Sequence, residues 1–324
     1  MPRSAPLPPD LAARPFHIGR GRSAGLSDTR MLGADLARPF PGVRSSLGVD
    51  DSTLERCRAY AARMTEGQVF SHETAAQLWQ VPLPGWMQRD SRIHVATFDD
   101  SNRPRVAGVV GHQLSNPALR LTERAGLRVL DPATVWLQLA PKLSLDELVA
   151  AADHLVLTPR YLDAHDPRPY VPLDKLADRA RRFRGRGRRN ALAALELVRD
   201  GSESPKESLL RLALVRAGLP EPALNLPIVG ADGIRIGFGD LVYPDFRVVV
   251  EYEGEQHRED AGQFYSDIER HEGFVRAGWI HLRETKVTPG VGPRSTPART
   301  REALRSRGWI PLRDSPKSGS IRSK

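Results

Sequence analysis

The stretch Gly237-Phe-Gly-Asp240-Leu-Val-Tyr-Pro-Asp245-Phe-Arg-Val-Val-Val-Glu251-Tyr-Glu253-Gly-Glu-Gln-His257 decides how the second half of this 324-residue chain is read. Tyr243-Pro-Asp-Phe246 has the composition of a turn, so Asp240 and residues 248–253 fall on consecutive antiparallel strands. Side chains alternate along a strand, which puts Glu251 and Glu253 on one face and Tyr252 on the other. Val248-Val-Val250 is the pattern of a buried central strand. Two same-face carboxylates at its end, with a third on the neighbouring strand, concentrate negative charge where desolvation is costly. Unpaired, such groups repel and their pKa values rise; a divalent cation removes that penalty. Asp and Glu oxygens are the ligands that Mg2+ takes, its other positions going to water and substrate phosphate. The same spacing also fits a solvated strand end, and Asp245 reads as turn chemistry. His257 is either a general acid, a phosphate contact or a surface group.

Upstream, Ser204-Pro-Lys-Glu207 is a capping box with Pro at the first helical position, and Leu209, Leu210 and Leu214 after it are core. Residues 163–172 (DAHDPRPYVP) hold no regular element and mark a boundary, so 163–203 reads as a basic connecting segment. It carries Arg179, Arg181, Arg182, Arg184, Arg186, Arg188 and Arg189, seven arginines in eleven residues, broken by Gly185 and Gly187. Such a run is either a solvated like-charged face or a site for a phosphate backbone. Only Phe183 interrupts it with a ring, which gives little support to base stacking.

Residues 27–162 read as an α+β domain. Ser27 or Asp28 caps a short helix, with Arg30 to Ala37 following, that Pro39-Phe-Pro-Gly42 ends. Leu54, Cys57 and Ala61 recur at helical spacing, which places Cys57 in the core. Ser71-His72-Glu73-Thr74 opens a helix; strands follow at 92–98 and 105–112, with His94 alternating with Ile93 and Val95 and so facing solvent. Asp131-Pro132 and Ser144-Leu-Asp-Glu147 start two further helices. Ser71, His72 and His112 come with no nucleophile-elbow motif or ordered triad. Residues 1–26 form a Pro- and Arg-rich flexible lead-in, and 292–324 a basic segment with one short helix and a disordered tail.

The fold class is α/β in the broad sense, α+β overall. Its 40% hydrophobic content is that of a globular chain, and the single cysteine excludes a disulfide framework or a multi-cysteine zinc site. No apolar run approaches the ~20 residues needed to cross a bilayer, and the N-terminus lacks a signal-peptide core, so the expected setting is cytoplasmic. Nothing points to an organic cofactor. The net charge of +9 is uneven. Residues 166–189 hold nine basic and three acidic side chains and 292–324 nine and two, while 204–291 hold ten and fourteen. Two basic segments flank an acidic core, which suits a polyanion held beside a metal site.

Residues 204–288 resemble the very-short-patch-repair endonuclease-like domain, a branch of the PD-(D/E)XK nuclease superfamily. The matching motifs are Ser204-Pro-Lys-Glu-Ser208 with Leu209-Leu-Arg-Leu212, Ala217-Gly-Leu-Pro220, Asp240-Leu-Val-Tyr-Pro244, Val249-Val-Glu-Tyr-Glu-Gly254 with His257, Asp267-Ile-Glu-Arg270, and Gly278-Trp-Ile-His-Leu-Arg283. The resemblance implies a restriction-endonuclease-like domain over 204–291: helix, antiparallel meander, helix, then a strand at 279–283 pairing parallel with 248–253 through a right-handed crossover. The crossover helix is expected over 262–277, with Ile268 and Val275 inward and Gly278 at its C-cap. The resemblance also implies metal-dependent DNA cleavage with Mg2+ or Mn2+. Its metal-binding Asp falls on Asp240, its second acidic position on Glu251, and its Lys position on Glu253, a departure that this branch commonly shows. His257 matches the branch's histidine. Glu207 matches an acidic residue of the first helix, often an outer metal ligand, and stands equally as a cap. Arg270 is expected to pair with an acidic neighbour.

The N-terminal half more weakly resembles abortive-infection type IV antitoxin-like proteins. The matching residues are the 26–37 helix with Arg38-Pro-Phe-Pro-Gly-Val43, Ser71-His-Glu-Thr-Ala-Ala76 with Leu78-Trp79, Ile93-His-Val95, and Gly108-Val-Val-Gly-His112. That likeness implies a toxin or other protein partner and frames the alternative function, a non-catalytic DNA-binding regulator on a nuclease scaffold.

Overall fold

The computed structural model describes residues 5–46, 50, 52–98, 103–115, 119–230, 232–253, 261–285, 288 and 290–311, with backbone alone for 261–267. His257 and the expected tail beyond 311 lie outside the described residues. The protein is mixed α+β, with thirteen α-helices and three sheets among the described residues. It divides into two compact units, Met1–Ala151 with Val171–Leu195, and Ala152–Tyr170 with Glu196–Lys324. No described helix is long and apolar enough to cross a membrane.

The first unit opens with α1 (Pro9–Ala12), β1 (Phe16–His17), α2 (Ile18–Ser23), α3 (Asp28–Met31) and β2 (Val43–Arg44), and β1 pairs antiparallel with β2. It continues through α4 (Thr53–Ala61), β3 (Val69–Phe70), α5 (His72–Leu78), α6 (Gly85–Gln88), β4 (Ile93–Thr97), β5 (Val109–Gln113), β6 (Leu121–Arg124), β7 (Leu127–Leu130) and α7 (Pro132–Leu139). The five strands after β2 form one sheet in the order β5-β4-β3-β7-β6. Helices α8 (Leu145–Val156), α9 (Leu173–Arg182) and α10 (Arg188–Leu197) follow, with residues 152–156 of α8 and 196–197 of α10 falling in the second unit. The expected caps form: Asp131 Oδ1 accepts from Thr134 N at 3.2 Å, and Ser144 N donates to Glu147 Oε2 at 2.8 Å. Cys57 is fully buried, as its spacing predicts.

His94 departs from expectation. Every residue of β4 is buried, His94 at 5% exposure, because α4 and α5 pack on this strand and leave it no wet face. Alternation reports which side chains share a face; it does not say that one face is solvated.

The second unit holds α11 (Pro205–Arg216), β8 (Ala223–Val229), β9 (Arg235–Tyr243), β10 (Val248–Tyr252), α12 (Ala261–Arg276), β11 (Ile280–Glu284) and α13 (Thr296–Ser306). The sheet order is β11-β10-β9-β8, antiparallel except for the parallel β10–β11 pair. The triplet Val248-Val-Val250 is wholly buried because both faces are covered. Leu241, Tyr243, Val248 and Val250 pack with Leu210 and Leu214 of α11 and Leu304 of α13. On the other face Ile228, Val242 and Val249 pack with Phe274 of α12. That face is where Asp240 and Glu251 emerge, two residues beyond Val242 and Val249 respectively.

The turn at 244–246 is a single 3-10 turn, with Arg247 at φ +49° bringing the chain back into β10. Gly278 caps α12 at φ +78°, and Trp279 N donates to Phe274 O at 2.9 Å, the backbone signature of that cap. The inward stripe of α12 differs from the expected one. Ile268 and Val275 are 38% and 53% exposed, whereas Phe274 is fully buried. Spacing fixes a stripe only to within a residue or so, and here it runs through Arg270 and Phe274, one turn apart on the sheet side.

Candidate functional site

Parallel and antiparallel pairing together assemble an acidic centre on the α12 side of the second sheet. The β9–β10 ladder runs Tyr243–Val248, Val242–Val249, Leu241–Val250, which carries Asp240 to the level of Glu251. Asp240 Oδ2 accepts from Tyr252 N at 3.1 Å. Burial, with Glu207 and Glu251 as negative neighbours, pushes the Asp240 carboxyl up to about 7 against the partial relief of that hydrogen bond and of Arg270. Glu251 is 5% exposed, and its Oε2 accepts from His281 Nε2 at 2.8 Å and from Arg270 Nη2 at 3.2 Å. Its other oxygen, Oε1, is buried with no hydrogen-bond partner among the described residues. A desolvated anionic oxygen without a donor is what a cation would satisfy.

Glu253 lies on the same edge, with Arg283 Nη1 3.8 Å from its Oε2. Glu207 performs the cap expected of it in a shifted form. Ser204 Oγ accepts from Glu207 N at 3.2 Å, while Glu207 Oε2 accepts from Glu203 N at 2.9 Å and Asn225 Nδ2 at 3.2 Å. The carboxylate is thus held by the helix start, and burial raises its pKa. It reaches the centre through charge, as a neighbour of Asp240.

Two histidines join this centre that the sequence reading assigns no role. A carboxylate oxygen can only accept, so His281 carries a proton on Nε2, and its Nδ1 faces His271 Nδ1 at 2.9 Å. The His281 side chain is fully buried. Burial and the neighbouring His281 and Arg283 lower the His271 pKa. The signal for His281 lies in the register: it pairs with Val249 across β10–β11, on the face of Glu251. Arg270 makes the ion pair predicted for it.

The arginine run folds with the first unit as the end of α9, a turn and the start of α10. Arg179 is tied into that unit, its Nη2 2.5 Å from Thr134 Oγ1 and 3.5 Å from Asp131 Oδ2. Arg181 lies 3.6 Å from Asp178, and Arg184 donates to the Arg181 carbonyl at 2.8 Å. Arg182, Arg184, Arg186, Arg188 and Arg189 are exposed along one continuous segment. The turn is fixed in place by Gly187, at φ +87°, where a Cβ would lie 2.6 Å from Pro141 N. A Gly187→Ala variant should therefore lose more than ~1 kcal/mol in urea unfolding, from the backbone penalty alone.

Metal-ligand convergence is closest elsewhere. Among the described residues, three or more His, Cys, Asp or Glu ligand atoms lie within 4.8 Å of one another in a single group, His72, His94 and His112 of the first unit. Asp240, Glu251 and Glu253 do not close to that extent. Mg2+ is usually held by one or two carboxylates with water and phosphate oxygens completing its shell.

No family model matches the chain, and no solved structure matches it. Two proteins of Mycobacterium tuberculosis strains, named uncharacterized protein MT2308 and uncharacterized protein Rv2248, are each 37% identical to it over 270 residues, which is 81% of this chain and 92% of theirs.

Proposed function

The chain belongs to the family of these mycobacterial proteins, and we propose for it metal-dependent DNA cleavage of the very-short-patch-repair-like kind. The observation that carries the proposal is the crowding of buried carboxylates at the acidic centre. Asp240 is pushed up to about 7 beside Glu251, and Glu251 Oε1 is buried without a donor among the described residues. Asp240 and Glu251 would hold Mg2+ or Mn2+. When bound, that ion supplies polarisation of a phosphodiester and a lowered pKa for a coordinated water.

The chain's own residues do the rest. His281 and Arg270 hold Glu251 by its Oε2, which leaves Oε1 to a cation. Glu253 occupies the Lys position of the superfamily, and Arg283 beside it brings a cation to the same edge. Exposed arginines from 182 to 189 offer charge for a phosphate backbone, a sequence-independent contact weakened by salt. His257 is the remaining candidate for protonating the leaving oxygen.

The test is cleavage of supercoiled plasmid by the full chain with Mg2+ or Mn2+. Nicking is expected, with at least a ~100-fold loss in an Asp240→Asn/Glu251→Gln variant, since even outer partners of metal ligands are worth about 10–100-fold. Cleavage undiminished by that double change would overturn the assignment. One observation favours a second reading: Arg270 and His281 already occupy one oxygen of Glu251, and Arg283 stands at Glu253. A regulator that binds DNA without cutting it, or binds a toxin, would need no more. Salt-sensitive DNA binding with no cleavage under either metal would select it.

A further inference from the structure

We propose that His72, His94 and His112 of the first unit form a binding site for a divalent first-row transition metal, of the Zn2+ class. Three secondary elements deliver them. His72 is the first residue of α5, directly after β3, while His94 and His112 lie on the parallel neighbours β4 and β5. In the ladder His112 pairs with Ala96 and His94 with Val110, which sets the two histidines diagonally on one face. Their rings stack, with centroids 3.7 Å apart for His72–His112 and 5.1 Å for His94–His112.

The donor atoms are arranged as a ligand set. His94 Nδ1 lies 3.0 Å from His112 Nε2. Two imidazole nitrogens on a tetrahedral ion at ~2.05 Å stand about 3.3 Å apart, so this pair is close to a ligand edge already. His72 Nδ1 is 3.0 Å from Ser71 Oγ, a contact that fixes the ring and leaves its other nitrogen as the donor. Glu73 adjoins the cluster, its Oε2 3.1 Å from His94 Nδ1 and its Oε1 paired with Lys142. His94 Nδ1 is also the nitrogen that faces His112, so the carboxylate lies at the ligand atom itself, and carboxylate oxygen is a ligand that Zn2+ also takes.

Two further observations point to an ion. Glu73 Oε2 is buried yet makes no hydrogen bond of favourable geometry among the described residues, even to His94 at 3.1 Å. One proton on His94 Nδ1 cannot serve both Glu73 Oε2 and His112 Nε2, so acceptors outnumber donors at this point. His72 adopts φ +49°, a left-handed conformation that a residue with a Cβ takes at some cost. Imidazole donors suit Zn2+ and its neighbours rather than Mg2+, so this site and the acidic centre of the second unit call for different ions.

The experiment is Zn2+ titration of the untagged full chain in competition with a chromophoric chelator. One equivalent should bind. His72→Gln and His112→Gln, both at half-buried positions, should each weaken binding at least ~10-fold, and Asp240→Asn/Glu251→Gln should leave it unchanged. The Co2+-loaded native chain gives a readout that needs no variant: paramagnetically shifted imidazole N–H signals from histidine ligands. Absence of saturable Zn2+ binding, absence of those signals, unaltered affinity in both histidine variants, or loss of Zn2+ on changing the acidic centre would each overturn the site.

Discussion

Arg211→Ala should destabilise the second unit by about 3–5 kcal/mol, the range for removing one partner of a buried ion pair. The Arg211 and Asp153 side chains are each 1% exposed, with Nη2 3.0 Å from Asp153 Oδ2. The same guanidinium donates to Leu197 O at 2.7 Å and Glu221 Oε1 at 2.8 Å. Asp153 also accepts from Arg199 N and Ser208 Oγ, each at 2.8 Å. Without Arg211 the Asp153 carboxylate stays buried with neutral donors only; burial already raises its pKa, so it would take up a proton and lose its strongest bonds. Asp153→Ala strands the guanidinium instead, which keeps Glu221 and should lose less. The Asp153→Ala/Arg211→Met double variant should then fall well short of the sum of the single losses, because neither charge is left alone. Urea midpoints at unchanged slope measure all of this; additive losses, or a cost below ~1 kcal/mol for Arg211→Ala, would contradict it.

The same network illustrates what the sequence leaves hidden. Asp153 stands on α8, inside a segment whose periodicity joins it to the N-terminal elements, yet its partners Ser208 and Arg211 lie more than fifty residues on. Local signals held where local chemistry decides: the Ser204 and Asp131 caps and Gly278 after α12. They failed where a second layer decides. His94 looked solvent-facing because alternation cannot report that α4 and α5 cover β4. Ile268 and Val275 looked inward because a helical stripe has no absolute phase until the sheet beneath it is known. His281 joins Glu251 only through the register of a parallel pair thirty residues apart, and His72, His94 and His112 meet only once β4 and β5 are paired.

Asp240→Asn should stabilise the metal-free protein at pH 8 and do little at pH 4. The sign follows from proton counting. The native carboxyl is pushed up to about 7, whereas in the unfolded chain it titrates near the ordinary ~3.9. Between those values the native state holds the extra proton, so stability falls as pH rises through that window and the loss is complete above it. The full displacement corresponds to on the order of 4 kcal/mol, an upper figure because Asp240 shares its repulsion with Glu207 and Glu251. Asparagine keeps the hydrogen bond from Tyr252 N and cannot ionise, so its stability should vary less over the same range. Denaturant midpoints of both proteins in EDTA should therefore diverge steadily from pH 4 to pH 8. Mg2+ or Mn2+ should narrow the gap at pH 8, since an ion bound to the native carboxylates stabilises only the chain that has both. Parallel pH profiles in EDTA would mean that Asp240 ionises without penalty, and the acidic centre would then lose the charge imbalance on which its metal-binding role rests.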